Sequence, residues 1–433
     1  MTYIDQLIHF LDNSPVNFLA VKTTAELLEA KGYRRLDASQ PIKGIEAGAK
    51  CYFTKNDSSI YAFHIGSQPL AEAGFHVICA HCDSPTFRIK PNAEITCEKD
   101  TVKLNTELYG GAIMSTWFDR PLSLAGRVIL RSDDAMNPTT RLLHIRRPLL
   151  QIPNLAIHFN REVNDGVKLS KQKDMQPLLG IVTDELEKGN LLLNLITSEL
   201  GVEKSQVLDF DLYLYDTTPP CTFGVHNEFL SAGRLDDLSM AHAGLTALLE
   251  SEDTPQTTRI LAIFDNEETG SQTKQGAGSP FLASLIQRMV LAQGGDADSF
   301  YQAVEHAFMV SADNAHAWHP NYSDKYDPTN HPVLGGGPVI KFNAAQKYAS
   351  DALSAAVFQQ LCEQAGVPCQ RFVNHSDVAG GSTLGNILAS SLPIRGVDMG
   401  NPILAMHSVR ETGAVSDHEY CIKAFKQFYK NGK

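Results

Sequence analysis

Several protein classes are excluded by what this chain lacks. Eight cysteines over 433 residues are too sparse for a disulfide framework, which points to a reducing cytoplasm. No apolar run approaches the length of a bilayer span, so a membrane protein is not expected. The N-terminus shows neither a basic start nor an apolar stretch followed by a small-residue cleavage site, so no secretory leader is expected either. Basic residues are in deficit, 37 against 49 acidic for a formal charge of -12, and beyond "HIRR" at 144–147 they do not cluster. That balance argues against nucleic acid as a partner. "GAGSP" and "LGGG" lack the glycine spacing and the strand-loop-helix context of a phosphate loop and read as turns. There is no internal repeat and no low-complexity tract.

What is present is an ordinary globular composition, 43% hydrophobic, over a length sufficient for two domains or one large one. The first thirty-odd residues carry helical spacing, with Thr23 or Thr24 as a cap before "AELLEAKG" and Gly32 after its last turn. "GFHVICAH" (74–81) is a short, nearly continuous apolar run of the kind that lies inside a sheet covered on both faces. Between about 95 and 231 short β-like runs take over: "GRVILR", "LLHIRR", "NLAIHF" and the alternating "VLDFDLYLYD". From Gly233 onward helix and strand patterns alternate, which predicts an α/β sheet with parallel members. The expected organisation is one α/β domain, 1–94 and 232–433, interrupted by a β-rich domain, 95–231.

Open α/β sheets bind ligands beyond the carboxyl ends of their strands, so the residues that follow each apolar run matter most. After "FHVICA" come His81 and Asp83, after "RILAIF" come Asp265, Glu267 and Glu268, and after "AFMVSA" comes Asp313, with His316 and His319 close behind. Asp236 and Asp237 open a helix, and His407 follows "PILAM". One such histidine is usually a satisfied structural residue, and an acidic cluster such as "FDNEETG" is usually a solvated loop or helix start. The set is more informative, because carboxylates and imidazoles gathered at one sheet edge repel unless a cation neutralises them. Mixed His, Asp and Glu ligation suits zinc, cobalt or manganese. Adjacent Glu267 and Glu268 point in different directions, so one can coordinate metal while the other serves as general base toward the attacking water. Asp237 needs no role beyond that of a helix-start carboxylate. The "CAHC" pair, Cys79 and Cys82, reads as buried cysteine rather than a redox or zinc motif, because it sits in an apolar strand without a partner CxxC.

These residues fall in blocks that together resemble the M18 metallopeptidases, the aspartyl aminopeptidase family. The blocks are "AHCDSPTFRIK" (80–90), "YGGAIMSTWFDRPLSLAGRV" (109–128), "IPNLAIHFN" (152–160), "SAGRLDDLSMAHAGLTAL" (231–248), "FDNEETGSQTKQGAGS", "SADNAHAWHPNY", "GGGPVIKFNAAQKYAS", "GGSTLGNILAS" and "LAMHSVRET". The resemblance runs along nearly the whole chain. It departs in "YGGAIM" and in the filling of "SDKYDPTNHPVLGGG", which bear on the substrate pocket.

The resemblance implies a zinc-exopeptidase-like α/β fold, a largely parallel mixed sheet flanked by helices, that removes an N-terminal residue, preferably Asp or Glu, from peptides. It implies two divalent ions per subunit, zinc with cobalt or manganese as alternatives. His81, Asp236, Glu268, Asp313 and His407 would be their ligands, with Asp236 bridging, Glu267 the general base and Asp83 the carboxylate that orients His81. It places His158, His316, Lys341 and Tyr348 around the substrate, with Lys341 the candidate cation for an acidic side chain. It further implies that the inserted domain forms dimer contacts, that dimers build a homododecamer, and that His158 reaches a neighbouring subunit's active site. Two other readings stay open: a related dinuclear aminopeptidase preferring neutral residues, and a non-enzymatic scaffold that binds metal or peptide.

Overall fold

In the computed structural model of the chain, the described residues are 1–182, 189–251 and 253–431. They divide into two compact units. One comprises Met1–Asp83, Pro220–Met406 and the stretch from Glu411 onward; the other comprises Ser84–Pro219 with His407–Arg410. The seams lie at 83/84 and 219/220, not at 94/95 and 231/232. The strand Thr86–Thr96 pairs within the second unit, whereas Cys221–Phe223 and Phe229–Ala232 pair toward Glu411–Ala414 in the first.

Among the described residues the first unit holds a mixed nine-stranded sheet. Its order is Arg34–Arg35, Lys50–Lys55, Ser59–His64, Thr258–Phe264, Phe75–His81, Phe308–Ala312, Arg395–Gly400, Val339–Phe342 and Gln370–Val373. The central strands are parallel, with Phe264 opposite His81 and Ser311 opposite Cys79, so their carboxyl ends share one edge. Their unbroken apolar character follows from burial on both faces. Ile78 and Ala80 join a core with the helices Leu235–Glu250, Ala352–Ala365 and Val415–Lys430. Val77 and Cys79 join the opposite core, with the helices Phe281–Ala292 and Leu384–Ser391. A separate five-stranded sheet in this unit includes Ala315–His316, Pro402–Leu404 and Glu411–Ala414.

The start of the chain differs from expectation. Thr2 caps the helix Tyr3–Asn13, and the next helix, Asn17–Ala30, already contains Thr23 and Thr24. The Thr23 hydroxyl donates to the carbonyl of Asn13, so the threonine ties two helices together instead of beginning one.

Among its described residues the second unit holds a six-stranded antiparallel sheet over the apolar face of the helix Leu191–Leu200. "VLDFDLYLYD" forms the strand Val207–Asp216 at its centre, with Leu212 and Leu214 buried, as period-two alternation requires. "NLAIHF" is not a strand. Ile157–Phe159 is a 3-10 turn with exposed side chains, so its apolar residues reflect surface character and not sheet packing. His407–Arg410 belongs here because Val409 enters this core and Arg410 donates to the Thr218 and Pro219 carbonyls.

Candidate metal centre

The site grows from the shared carboxyl edge of the parallel strands. His81 is the last residue of its strand and is fully buried. Its Nδ1 lies 3.0 Å from the Asp83 carbonyl oxygen, which can only accept, so Nδ1 carries a proton and Nε2 is directed elsewhere. Nε2 is 3.4 Å from Asp236 Oδ1. The carboxylate of Asp83 lies 3.4 Å from Nδ1, farther than its own carbonyl. Its closer partners are the backbone N–H groups of Glu267 and Glu268, accepted at 3.1 Å by Oδ1 and Oδ2 respectively. Asp83 thus orients His81 chiefly through its backbone and holds the Glu267–Thr269 turn through its side chain.

The turn is built by backbone that few residues adopt. Asn266 and Gly270 flank it at φ 61° and 98°, and Asn266 accepts from Thr273 and Gln275 through its side chain. Asp265, buried behind it, accepts from Asn17 and from the Asn266 N–H. Burial, followed by the Asp83 charge, raises the Asp265 carboxyl to about 7.

The helix Leu235–Glu250 brings the next two carboxylates. Residues 236 and 237 do not have helical backbone, and the bond between them is cis. The Asp236 N–H donates to buried Glu411. Asp237 is buried and accepts from the His81 N–H at 3.1 Å. Asn314 braces this start by donating to the Leu235 carbonyl at 2.6 Å. Asp313 follows Phe308–Ala312, and its carbonyl accepts from Lys341 Nζ at 2.7 Å. Gly400 runs so close to the Asp313 carbonyl that a Cβ there would overlap it.

Together these elements place one donor atom each from His81, Asp236, Asp237 and Asp313 within 4.8 Å of one another, and likewise from His81, Glu267 and Glu268. One imidazole with several carboxylates is a donor set that fits zinc, cobalt or manganese. Electrostatics in the metal-free chain agree. Burial raises Glu267 to about 8, and burial with the Asp236 charge raises Glu268 well above the ordinary range. Burial likewise raises Asp237 and Asp313. For His81 burial disfavours the cation, but the Asp236 and Asp83 carboxylates outweigh it and the ring is pushed well up. A divalent cation among them would favour the ionised carboxylates instead.

The other expected residues lie as follows. Lys341 is buried, with Nζ on the Asp313 and Asn314 carbonyls, 3.7 Å from Asp313 Oδ2 and 5.5 Å from the Tyr348 ring centroid. Tyr348 is 6% exposed. His316 sits on the small sheet, exposed, its ring 6.0 Å from that of Phe372. His158 and His407 lie in the second unit: His158 in the exposed Ile157–Phe159 turn, and His407 with Nδ1 3.2 Å from the Gly111 carbonyl oxygen. Asp237, Asn314 and Glu411 were not singled out for the site from sequence.

The comparisons with known proteins agree with this chemistry. The profile of the family described as "Aminopeptidase I zinc metalloprotease (M18)" matches residues 10–429. The chain is 49% identical over 429 residues to a "Probable M18 family aminopeptidase 2" of Clostridium acetobutylicum, covering 99% of both proteins. It is 42% identical over 429 residues to the protein of that name from Pseudomonas aeruginosa, covering 99% of this chain and 98% of the relative. Among solved structures, a chain of the complex of Ape4 and Nbr1 superimposes with a TM-score of 0.95 at 36% identity, over 99% of this chain and 85% of that one. The S. cerevesiae mApe1 dodecamer gives a TM-score of 0.86 at 26% identity, over 99% and 96%. With a family match over nearly its full length and a carboxylate-rich centre suited to zinc, the chain belongs to the M18 family of zinc aminopeptidases.

Proposed function

We propose that this aminopeptidase removes N-terminal Asp or Glu from peptides at a site for two divalent cations, with Glu267 as general base. His81, Asp236, Glu268, Asp313 and His407 would hold the ions, which when bound polarise the scissile carbonyl and acidify water. The observation that carries the reading is the pair of 3.1 Å hydrogen bonds from the Glu267 and Glu268 N–H groups to one carboxylate, that of Asp83. They fix two adjacent carboxylates in one turn, so Glu268 can bind metal while Glu267 takes a proton from water and later gives it to the leaving amine. Asp237, within 4.8 Å of the ligand atoms and bonded to the His81 N–H, supports the His81 and Asp313 positions.

The acidic preference is assigned to Lys341, whose charge is the one carried over from the family pattern. Its ammonium donates to the Asp313 and Asn314 carbonyls, which leaves the third of its three N–H groups for a substrate carboxylate. The substrate panel separates this preference from a neutral one. Rates on aminoacyl substrates with acidic, neutral and basic side chains, before and after chelation and readdition of single metals, are expected to be highest for Asp and Glu and to return with zinc. Metal binding without hydrolysis would overturn the enzymatic reading, and faster neutral substrates would replace the acidic one.

We further propose that the chain assembles into a homododecamer built from dimers through its β-rich unit, with His158 completing a neighbouring subunit's site. Leu155, Ile157 and Phe159 beside it are 58%, 52% and 81% exposed, which suits a surface awaiting a partner copy. The cytoplasm is the proposed compartment, on the sparse cysteines.

A further inference from the structure

The stretch that carries Tyr348 is held from both sides. Before it, the Lys347 ammonium donates to the Gly380 carbonyl at 2.6 Å. After it, two successive residues are held by Asp398, which is fully buried in the strand Arg395–Gly400. The Asp398 carboxylate accepts from the Ala349 N–H at 2.5 Å, and the Asp398 N–H donates to the Ser350 hydroxyl at 2.8 Å. The other carboxylate oxygen accepts from the Thr383 hydroxyl at 2.7 Å. Thr383 stands at the N-terminal cap of the helix Leu384–Ser391, where a hydroxyl ordinarily accepts from the first turn, but here it makes no such bond and turns to Asp398. Gly385 leaves room for the carboxylate, since a Cβ there would lie 2.4 Å from Asp398 Oδ2. Lys347 and Asp398 thus tie the two sides of Tyr348 to one and the same loop, residues 380–383.

We propose that Asp398 is a positioning residue for the substrate: it holds Tyr348 beside Lys341 and so sets how tightly the first residue of a peptide is bound. The inference rests on the reading above that Lys341 and Tyr348 lie around the substrate. Lys341 Nζ is 5.5 Å from the Tyr348 ring centroid and 3.7 Å from Asp313 Oδ2, so a ring fixed against Lys341 is also fixed relative to the metal centre. The groups that Asp398 binds, an N–H and two hydroxyls, are all neutral. A neutral amide would tie the same groups at a smaller desolvation cost, whereas a carboxylate makes the stronger bonds and the stiffer stretch. That stiffness matters where a side chain must keep its place while substrates enter and products leave. Contacts made equally in the ground state and the transition state act on KM and leave the proton transfer at Glu267 untouched.

The test uses the zinc-loaded protein and the aminoacyl nitroanilide that it cleaves fastest. Asp398→Asn keeps an acceptor for the Ala349 N–H but removes the charge. KM is expected to rise about tenfold, as exchange of a charged for a neutral acceptor implies, with kcat and zinc content unchanged. A cycle with Tyr348→Leu separates positioning from structural support: once the ring is gone, Asp398→Asn should alter KM by less than about twofold. An equal rise in both backgrounds, or a fall in kcat with loss of zinc, would overturn the inference. KM raised by Tyr348→Leu but not by Asp398→Asn would overturn it and leave the substrate reading standing. KM unmoved by Tyr348→Leu would remove Tyr348 from the substrate, and the inference with it. If Asp398→Asn fails to fold, Thr383→Val, which removes one of the two bonds to the carboxylate, decides the matter in the same cycle.

Discussion

The metal centre of the first unit and the Leu155–Phe159 segment of the second handle water in opposite ways. The centre withdraws His81, Asp236, Asp237 and Asp313 from solvent and crowds their donor atoms within 4.8 Å, while the segment presents Leu155, Ile157 and Phe159 to it. Each arrangement is unfavourable by itself: clustered carboxylates repel, and exposed apolar side chains cost hydration free energy. The proposed function relieves them differently, with a cation in one case and an apolar surface of another copy in the other.

The largest effect that can break this comparison is expected at Glu267. Glu267→Gln keeps the shape of the turn and its N–H bond to Asp83, but the side chain can no longer take a proton. Turnover should fall about 10²–10⁴-fold with metal content unchanged. Loss of metal along with activity would make Glu267 a ligand and leave the base unidentified.

Next is Asp237. Asp237→Asn retains an acceptor for the His81 N–H but removes a charge from the cluster. Metal affinity, measured by competition with a chelator of known strength, should fall about 10–100-fold, the range for residues that orient ligands. Unchanged affinity would confine Asp237 to bracing the strand end. On the other side of the comparison, Phe159→Asp should weaken self-association about 30-fold, as loss of about 2 kcal/mol at an interface anchor implies, and should shift the sedimentation profile toward smaller species. An unaltered profile would leave the segment without a role in assembly.

How far the site was legible depends on whether its residues announce themselves locally. His81, Glu267, Glu268 and Asp313 follow apolar strands, and the parallel pairing brings those ends to one edge. Asp237 carries no role in the sequence reading beyond that of a helix-start carboxylate. The signal lay in the helix itself: "LSMAHAGLTAL" carries no acidic or basic residue apart from His242, and every residue from Leu235 to Leu248 is buried, so its first turn could not be in water. Glu411 offered no local signal, because its partner Asp236 is 175 residues away. "NLAIHF" imitated a strand because apolar residues exposed on a surface turn have the composition of ones packed in a sheet. The capping threonines failed for a related reason: Thr23 bonds a carbonyl from the preceding helix, a tertiary contact that propensity does not encode.

The smallest effect, and the one that bears most directly on the repulsion in the centre, is its pH dependence. Burial raises the Glu267 carboxyl from 4.5 to about 8 in the metal-free chain, and Glu268, Asp237 and Asp313 move in the same direction. Below the unfolded value these groups are neutral in both states and cost nothing. As pH rises past it the unfolded chain ionises first, so stability is lost progressively until the folded carboxyl ionises as well, near 8 for Glu267. His81, raised by its carboxylate partners, adds a term of the same sign, since its stabilising proton is lost as pH rises. A bound cation replaces those protons, so the loaded chain escapes the loss. The difference in Tm between zinc-loaded and chelated protein should therefore widen between about pH 5 and about pH 8, by on the order of a few °C for a chain of this size. A constant gap would mean that the carboxylates are already ionised without metal, and that repulsion in the centre is relieved by the fold itself.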